Sequence, residues 1–573
     1  AIDYNFADKD YLDDDITFSR ASGATQTNSE GKVAYAPHNL LPRSNEFTNS
    51  AWSNYSKMTA NRAISPTGEN NASEITTESA IYDSVGGVGG NITISIHAKK
   101  NTASHFILSG GYPSSNRVVF DLETGVACQV VGVAKHTSES LGNGWFRFSV
   151  SLPSSSTDYI QFSARSSCTY ASNNRVPGVY VYGAQVESTF DLDSGPQAYI
   201  ETTGAASFGA RFDHDHAASL STDITESNAR GLLIEEARTN LQPNSNQWVV
   251  ATHAINNFNA VTNNFAISPT GQRDAWRAEC YDTGGAARHE FYTRYNKANS
   301  TQYTHSLYIK PFGTVTHLKG SDEGSASRGV CFDLVNCQVV EQNMTNQGAT
   351  IEDVGNGWRR VSFTFTSVAA TADSFLYWAV GDKGSLVSGS SIFANYNPGK
   401  GQGVYVWGVQ SEACTGGAYA SSILPTWGST STRAADVATV ESTAFNKFYK
   451  QGTGGAWIVD STELAEDRTT QTSPFLVYES GGSKLRVGPK VGGGATNAIA
   501  VYYQDGGDMI YSAGALGTVT KGVKSKLGIT FKTNDGAFTR DGKTPNTDSS
   551  IANIYSPTEV RLGGNGAGTT AFC

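Results

Sequence analysis

The sequence predicts an all-β protein: tandem β-sandwich modules of jelly-roll type, followed by a sandwich of a different kind. Three observations predict it. A long series of motifs occurs twice, the motif segments alternate apolar and polar residues, and Gly, Asn and Ser crowd the turns between them.

The repeat sets the architecture. NLLPRSNEF at 39–47 matches NLQPNSNQW at 240–248, and AISPTG at 63–68 recurs unchanged at 266–271. ISIHAKK at 94–100 aligns with HSLYIKP at 305–311, and FDLETG at 120–125 with FDLVNC at 332–337. LGNGWFRFSVSL at 141–152 aligns with VGNGWRRVSFTF at 354–365, and GVYVYGAQVE at 178–187 with GVYVWGVQSE at 403–412. The offset drifts from about 201 to about 225 residues, as loop insertions would make it. Two copies of one module follow, at 39–206 and 240–435, with a further region from 436 to 573.

Each copy reads as sheet. After the Asn-Gly turn, Phe146, Phe148, Val150 and Leu152 point one way and Trp145, Arg147, Ser149 and Ser151 the other. Ile92, Ile94 and Ile96 likewise oppose Ser95, His97 and Lys99. About eight short strands per copy suit a jelly roll. From 436 onward, GGAWIVDST, SPFLVYES, AIAVYYQD and SKLGITFKTNDGAFTRDGK read as further strands with Asn-Asp-Gly and Asp-Gly turns. The last strand ends close to Cys573, which leaves room for a closing strand beyond it.

At 573 residues the chain exceeds a single core, and three or four domains are expected. Only 16% of residues are charged, against about 25% typically, so the surface is polar through Ser, Thr, Asn and Gly. A net charge of −10 without a basic run argues against nucleic acid as a partner. No apolar run is long enough to predict a membrane span. AIDYNFADKD is acidic and lacks an apolar stretch, so a secretory signal is not expected; if the protein leaves a cell, something other than an N-terminal signal carries it, and release by lysis inside a virus particle would do. Seven cysteines, odd and scattered, do not make a disulfide scaffold. Cys331 and Cys337 flank a turn and are candidates for a hairpin bridge, with buried free thiols as the alternative.

Catalysis is not expected. G-x-S-x-G, H-E-x-x-H and P-loop patterns are absent, and GKGQG at 399–403 leads into a strand, not a helix. His214 and His216 share one strand face and Asp213 and Asp215 the other, which favours surface hydrogen bonding over a metal. Sugar binding is the sharper expectation, since rings stack on the apolar faces of sugars while polar groups meet the hydroxyls. The candidates are His97 and Lys99 in the first copy and Tyr308 and Lys310 at the matching places in the second, where the alternative is an ordinary solvated sheet face. Trp145 and Trp358 stand two residues before Arg147 and Arg360. Each Trp is either clamped by its Arg or bare as a stacking platform.

ITFSRASGAT at 16–25, ARFDHDH at 210–216 and RGLLIEEARTNL at 230–241 resemble segments of bacteriophage tail and tail-fibre type virion proteins with carbohydrate-binding modules. The duplicated motif series resembles their carbohydrate-binding-like jelly roll. KLGITFKTNDGAFTRDGK resembles the concanavalin-A-like (laminin-G-like) lectin sandwich that commonly follows. The resemblance implies that 39–206 is an insertion and that 1–38 and 207–239 pair as one small β-unit. His216 stands where the class tends to have Pro. The class also implies a structural calcium ion, for which Gln185 and Glu187, and Gln410 and Glu412, are the candidate ligands on the last strand of each copy. The functional expectation is a non-catalytic virion protein, assembled in the host cytoplasm. It is expected as a homo-oligomer among other virion proteins, and in a tail fibre it would bind host cell-surface glycans. A capsid or tail decoration protein and a depolymerase tailspike are the alternatives.

Overall fold

The computed structural model describes residues 4–6, 9–110, 116–193, 195–216, 228–322, 329–342, 348–383, 396, 399–414, 419–440, 442–447, 454–462, 472–478, 484–489, 498–505, 508–518, 520, 522–549 and 559–565. The chain is an all-β series of antiparallel sandwiches. It divides into two units: Ala34–Gly209, and Ala1–Val33 together with Ala210–Cys573. Among the described residues, no helix is long and apolar enough to cross a membrane.

In Ala34–Gly209 a six-stranded sheet runs in the order Lys135–Gly142, Trp145–Pro153, Asn91–Lys100, Val179–Thr189, Ala72–Ile75, Met58–Ala63. A five-stranded sheet runs Ala127–Val131, Arg117–Asp121, His105–Gly110, Asp158–Arg165, Ile81–Gly86. Asn143 and Gly144 turn the chain into the Trp145 strand at φ 49° and 76°, where Asn and Gly are the tolerant residues. Phe146, Phe148, Val150 and Leu152 then enter the core against Phe106, Phe120 and Phe162 of the opposing sheet, with the Phe120 and Phe148 rings stacked at 4.2 Å. Each such side chain contributes about 1.5–3 kcal/mol by leaving water.

The polar face of the same strand departs from expectation. Trp145, Arg147, Ser149 and Ser151 are buried too. Neighbouring strands answer their polar groups: Ser151 bonds Thr93 at 2.9 Å, and Ser149 bonds Thr137 at 2.6 Å. Arg147 donates to Ser95 at 3.0 Å rather than roofing Trp145. A period-two pattern therefore marks here a strand buried on both sides, polar on one.

The second copy repeats this plan. One sheet runs Ala349–Gly355, Trp358–Thr366, Gln302–Phe312, Gly403–Ala413, Ala275–Glu279, Thr262–Ala266. The other runs Gln338–Gln342, Gly329–Asp333, His317–Asp322, Thr371–Gly381, Glu290–Lys297, His253–Asn256. The strand order matches copy one throughout, except that His253–Asn256 adds an edge. The C-terminal sandwich has a four-stranded sheet, Gly455–Thr462, Lys524–Lys532, Asp535–Arg540, Asn546–Asp548, and a seven-stranded sheet. Its seven-stranded sheet takes in Ile16–Ser19, which pairs with Val437–Val440 from Ile16↔Val440 to Ser19↔Val437. The expected pairing of 1–38 with 207–239 is only one part of this. Arg211–His214 pairs with Ala229–Leu233, and Asp213 accepts from the Thr27 N–H at 2.8 Å, while the 16–19 strand goes to the C-terminal sandwich.

The segments that carried the family resemblance meet in a buried knot of charge. Arg211 pairs with both Glu235 and Asp436; Arg20 reaches Asp436 at 2.8 Å, and Arg433 reaches Glu235 at 3.0 Å. All five side chains are at most 2% exposed. Ser422 completes Glu235, donating from its N–H at 2.8 Å and its hydroxyl at 2.7 Å. Burial alone would raise the Glu235 carboxyl, but Arg433 and Arg211 hold it well below the usual carboxylate range.

Candidate functional site

The predicted sugar-binding residues lie on the paired strands Asn91–Lys100 and Trp145–Pro153 of the first copy and Gln302–Phe312 and Trp358–Thr366 of the second, and most of them are buried. His97 is 6% exposed, with Nδ1 3.1 Å from both the Tyr182 and Gly183 carbonyls and its ring 5.6 Å from Tyr199. Burial, with Arg147 close by, lowers its pKa to about 4, so the ring is neutral. Tyr308 is 2% exposed, against Trp407 at 5.3 Å and under the Arg360 guanidinium at 5.3 Å. Lys99 and Lys310 are half-buried. The face expected to be open is closed.

The repeat motifs close it on themselves. Trp145 Nε1 donates to the Ile64 carbonyl and Trp358 Nε1 to the Ile267 carbonyl, each at 3.0 Å, so each GNGW phrase is tied to its own AISPTG phrase. Neither indole is a bare platform, and the Arg two residues on packs elsewhere: Arg147 on Ser95, Arg360 on Tyr308. Gly183 and Gly408 take φ of 57° and 63°. A Cβ there would stand 2.9 Å from Tyr199 and 3.0 Å from Tyr308 respectively, so backbone strain and crowding both demand Gly.

The four calcium candidates act as clamps. Gln185 Oε1 accepts from the Ile200 N–H and Glu187 Oε1 from the Gln197 N–H, both at 2.8 Å, while Gln185 Nε2 donates to Glu187 Oε2 at 2.7 Å. Gln410 Oε1 accepts from Leu424 N–H at 2.7 Å, and Glu412 accepts from the Ser421 N–H at 3.1 Å and from its hydroxyl. Their oxygens face backbone donors of the segment that folds back over the sheet, not a shared centre, so these residues do not fit a calcium cage. Among the described residues no group of three His, Cys, Asp or Glu is placed to hold a metal. His214 and Asp213 instead bond the backbone of Thr27, and Asp215 pairs with Arg230.

Cys331 and Cys337 do not form the hairpin bridge. Cys331 lies opposite Glu341 in the ladder, while Cys337 sits in the turn at φ 56°. The disulfide joins Cys128 to Cys168, whose spacing gave no signal.

The surfaces that differ between the copies are the outer faces of the second sheets. In the second copy Phe291, Tyr295, Leu376 and Trp378 enter the core, so their neighbours Tyr292, Arg294, Phe375 and Tyr377 point outward. Tyr292 lies directly across from Tyr377, rings edge to face at 4.7 Å; Phe375 is 6.0 Å from each, and Arg294 lies over Phe375 at 4.7 Å. All four are half-buried. At one end of the row Glu290 accepts from the Tyr292 hydroxyl and from Asn256 Nδ2 at 3.1 Å, while its buried Oε2 has no partner. Burial and Glu290 together raise the Tyr292 phenol. Rings flanked by a carboxylate acceptor and a guanidinium donor offer stacking and hydroxyl recognition side by side. Nothing in the alternation of EFYTRYNK separated these ring positions from core; only the pairing of two strands places them together.

In the first copy the corresponding face carries Ser109, Arg117, Gln161 and Arg165, and the chain at 166–175 folds back across it.

No family model matches this chain, and no curated protein is similar to it. Among solved structures, the LG1-3 region of the laminin α2 chain overlaps it at 10% identity, over 83% of this chain and 90% of that one, with a TM-score of 0.15. That likeness is too slight to carry an argument about function.

Proposed function

We propose that this chain is a virion adhesion protein, a phage tail fibre or other tail-associated receptor-binding protein, that binds host-surface glycans without cutting them. The observation that supports this best is the outward row Tyr292, Tyr377 and Phe375, flanked by Glu290 and Arg294. Core-forming rings would have no reason to line the outer side of a sheet whose inner side is already filled by Phe291, Leu376 and Trp378. The virion assignment rests on the RASGAT, ARFDHDH and IEEARTNL segments. Single sites of this size bind weakly, and display of many copies on a particle converts weak sites into firm attachment.

The test is binding of the full chain to purified host-surface polysaccharide, with the Tyr292→Ala/Tyr377→Ala double variant beside it. We expect at least a tenfold loss in the variant and no release of oligosaccharide by either protein. Equal binding by both proteins overturns the site, and release of oligosaccharide overturns the non-catalytic reading. Labelling on intact particles should mark the tail; labelling of the capsid lattice would favour decoration instead.

A further inference from the structure

The first copy carries a second, chemically different face. Past Arg165 the chain turns back: Arg165 and Arg175 form an antiparallel bridge, Ser166 N–H donates to Asn174 O at 3.0 Å, and Arg165 Nη1 donates to Ala171 O at 2.6 Å. The turn is stitched to the far strand by the Cys128–Cys168 disulfide and by Tyr170 N–H to Gln129 Oε1 at 3.2 Å. Tyr170 is thereby held with the Arg117 guanidinium 3.9 Å and the Arg165 guanidinium 4.8 Å from its ring centre.

Two guanidinium groups thus flank one ring, with Arg175 bridged to Arg165 beside them, on a chain of net charge −10. Arg165 is 2% exposed, and its Nε and Nη1 bond only neutral oxygens, of Ser163 and Ala171. Among the described residues neither Arg165 nor Arg175 has a carboxylate within ion-pair reach, and the buried Arg175 Nε lacks any partner. Asp121 shares this face but spends Oδ1 on its own turn, at Glu123 and Thr124, with His105 3.8 Å from Oδ2. Like charges crowded together and drawn from water are unfavourable unless an anion joins them. The guanidinium fork suits a carboxylate or phosphate group. The chain's overall negative charge disfavours an extended polyanion, and the polar rim of Gln129, Gln161 and Asn174 suits hydroxyls.

We propose that this face, with Arg175 and Arg117 as the contacting cations and Arg165 behind them, binds an acidic saccharide. The inference rests on the adhesion reading and names a ligand class for the first copy.

The test uses the full chain with its disulfide intact. Titrations employ oligogalacturonate and sialyllactose, each as free acid and as methyl ester. We expect the acids to bind at least tenfold tighter than their esters at low salt, and the preference to shrink as NaCl is added. Arg117→Gln/Arg175→Gln should erase the preference and leave ester binding unchanged. Tyr292→Ala/Tyr377→Ala should weaken the esters and keep the preference. An acid preference that survives the double Arg variant overturns the inference. So does full displacement of the acids by an equal concentration of inorganic sulfate or phosphate, which would mark a simple anion site. Ester binding without any acid preference sinks this inference alone. Failure of acids and esters alike, with host polysaccharide also unbound, sinks the adhesion reading with it.

Discussion

The two copies agree where repeat motifs touch each other and differ where they face outward. Trp145 and Trp358 make the same bond to Ile64 and Ile267, and Gln185–Glu187 and Gln410–Glu412 clamp the same returning segment. Yet one outer sheet gathers arginines around Tyr170, and the other a row of Tyr and Phe. A motif tied to a second motif cannot vary alone without leaving a buried polar group unmet, which costs about 1–3 kcal/mol. An outward residue carries no such penalty. The duplicated phrases therefore identify the scaffold, and binding chemistry is to be sought between them.

The copies also differ in how they are anchored, and this difference offers the largest effect. Among the described residues, the ion pairs within Ala34–Gly209 are partly exposed, such as Arg43–Glu46 and Lys100–Glu123. The other unit holds the knot of Arg20, Arg211, Glu235, Arg433 and Asp436 out of water. Arg211→Ala would take one buried charge-assisted bond from each of Glu235 and Asp436, which keep Arg433 and Arg20; at about 1.5–3 kcal/mol per bond it should cost about 3–5 kcal/mol. Hydrogen exchange on the full chain should find the loss in Ala210–Cys573 and leave Ala34–Gly209 protected; uniform loss would break the contrast. Because the Glu235 pKa is depressed, its contribution is present above the ordinary carboxylate pKa and fades as pH falls below it.

The next effect runs the other way. The Cys128–Cys168 bond closes a loop of sequence separation 40 within the first copy. Cys128→Ser/Cys168→Ser should lower stability by about 2–4 kcal/mol. Exchange should rise at 166–175 and along Ala127–Val131, with the second copy unmoved. An unchanged exchange pattern would mean that Tyr170 and its arginines hold the turn without the bond.

Much of the scaffold was legible because it depends on local periodicity. The Asn-Gly turns, the Phe146–Leu152 alternation and the doubled motif series all led to sandwiches. Exposure was not legible. His97 and Tyr308 occupy the polar phase of their strands, but alternation reports only which residues share a face. It says nothing of whether another segment lies over that face, and here 197–202 and 421–426 do. The disulfide and the Arg–acid knot were hidden for a related reason. Their members are distant in sequence, as Arg20 is from Asp436, and only the assembled sheets bring them together.

The smallest effect is carried by one aligned position. Asp274 and Asn71 follow the AISPTG phrase at the same place in each copy. Asp274 Oδ2 accepts from Trp407 Nε1 at 3.0 Å, while its buried Oδ1 has no partner, and burial raises its pKa to about 6. A raised carboxyl pKa means that the folded state holds a proton the unfolded chain has released. Stability therefore falls between about pH 4 and pH 6 and stays depressed above. Asp274→Asn keeps an acceptor for Trp407 and removes the charge, so it should gain at most about 3 kcal/mol at pH 7 and nothing below pH 4. Urea unfolding of the full chain across this range measures it, and a gain independent of pH would overturn the assignment to Asp274. The reciprocal Asn71→Asp sharpens the comparison. Tyr182 stands in copy one where Trp407 stands in copy two, and it has no indole N–H to offer a carboxylate. The loss at pH 7 should therefore exceed the gain made by Asp274→Asn.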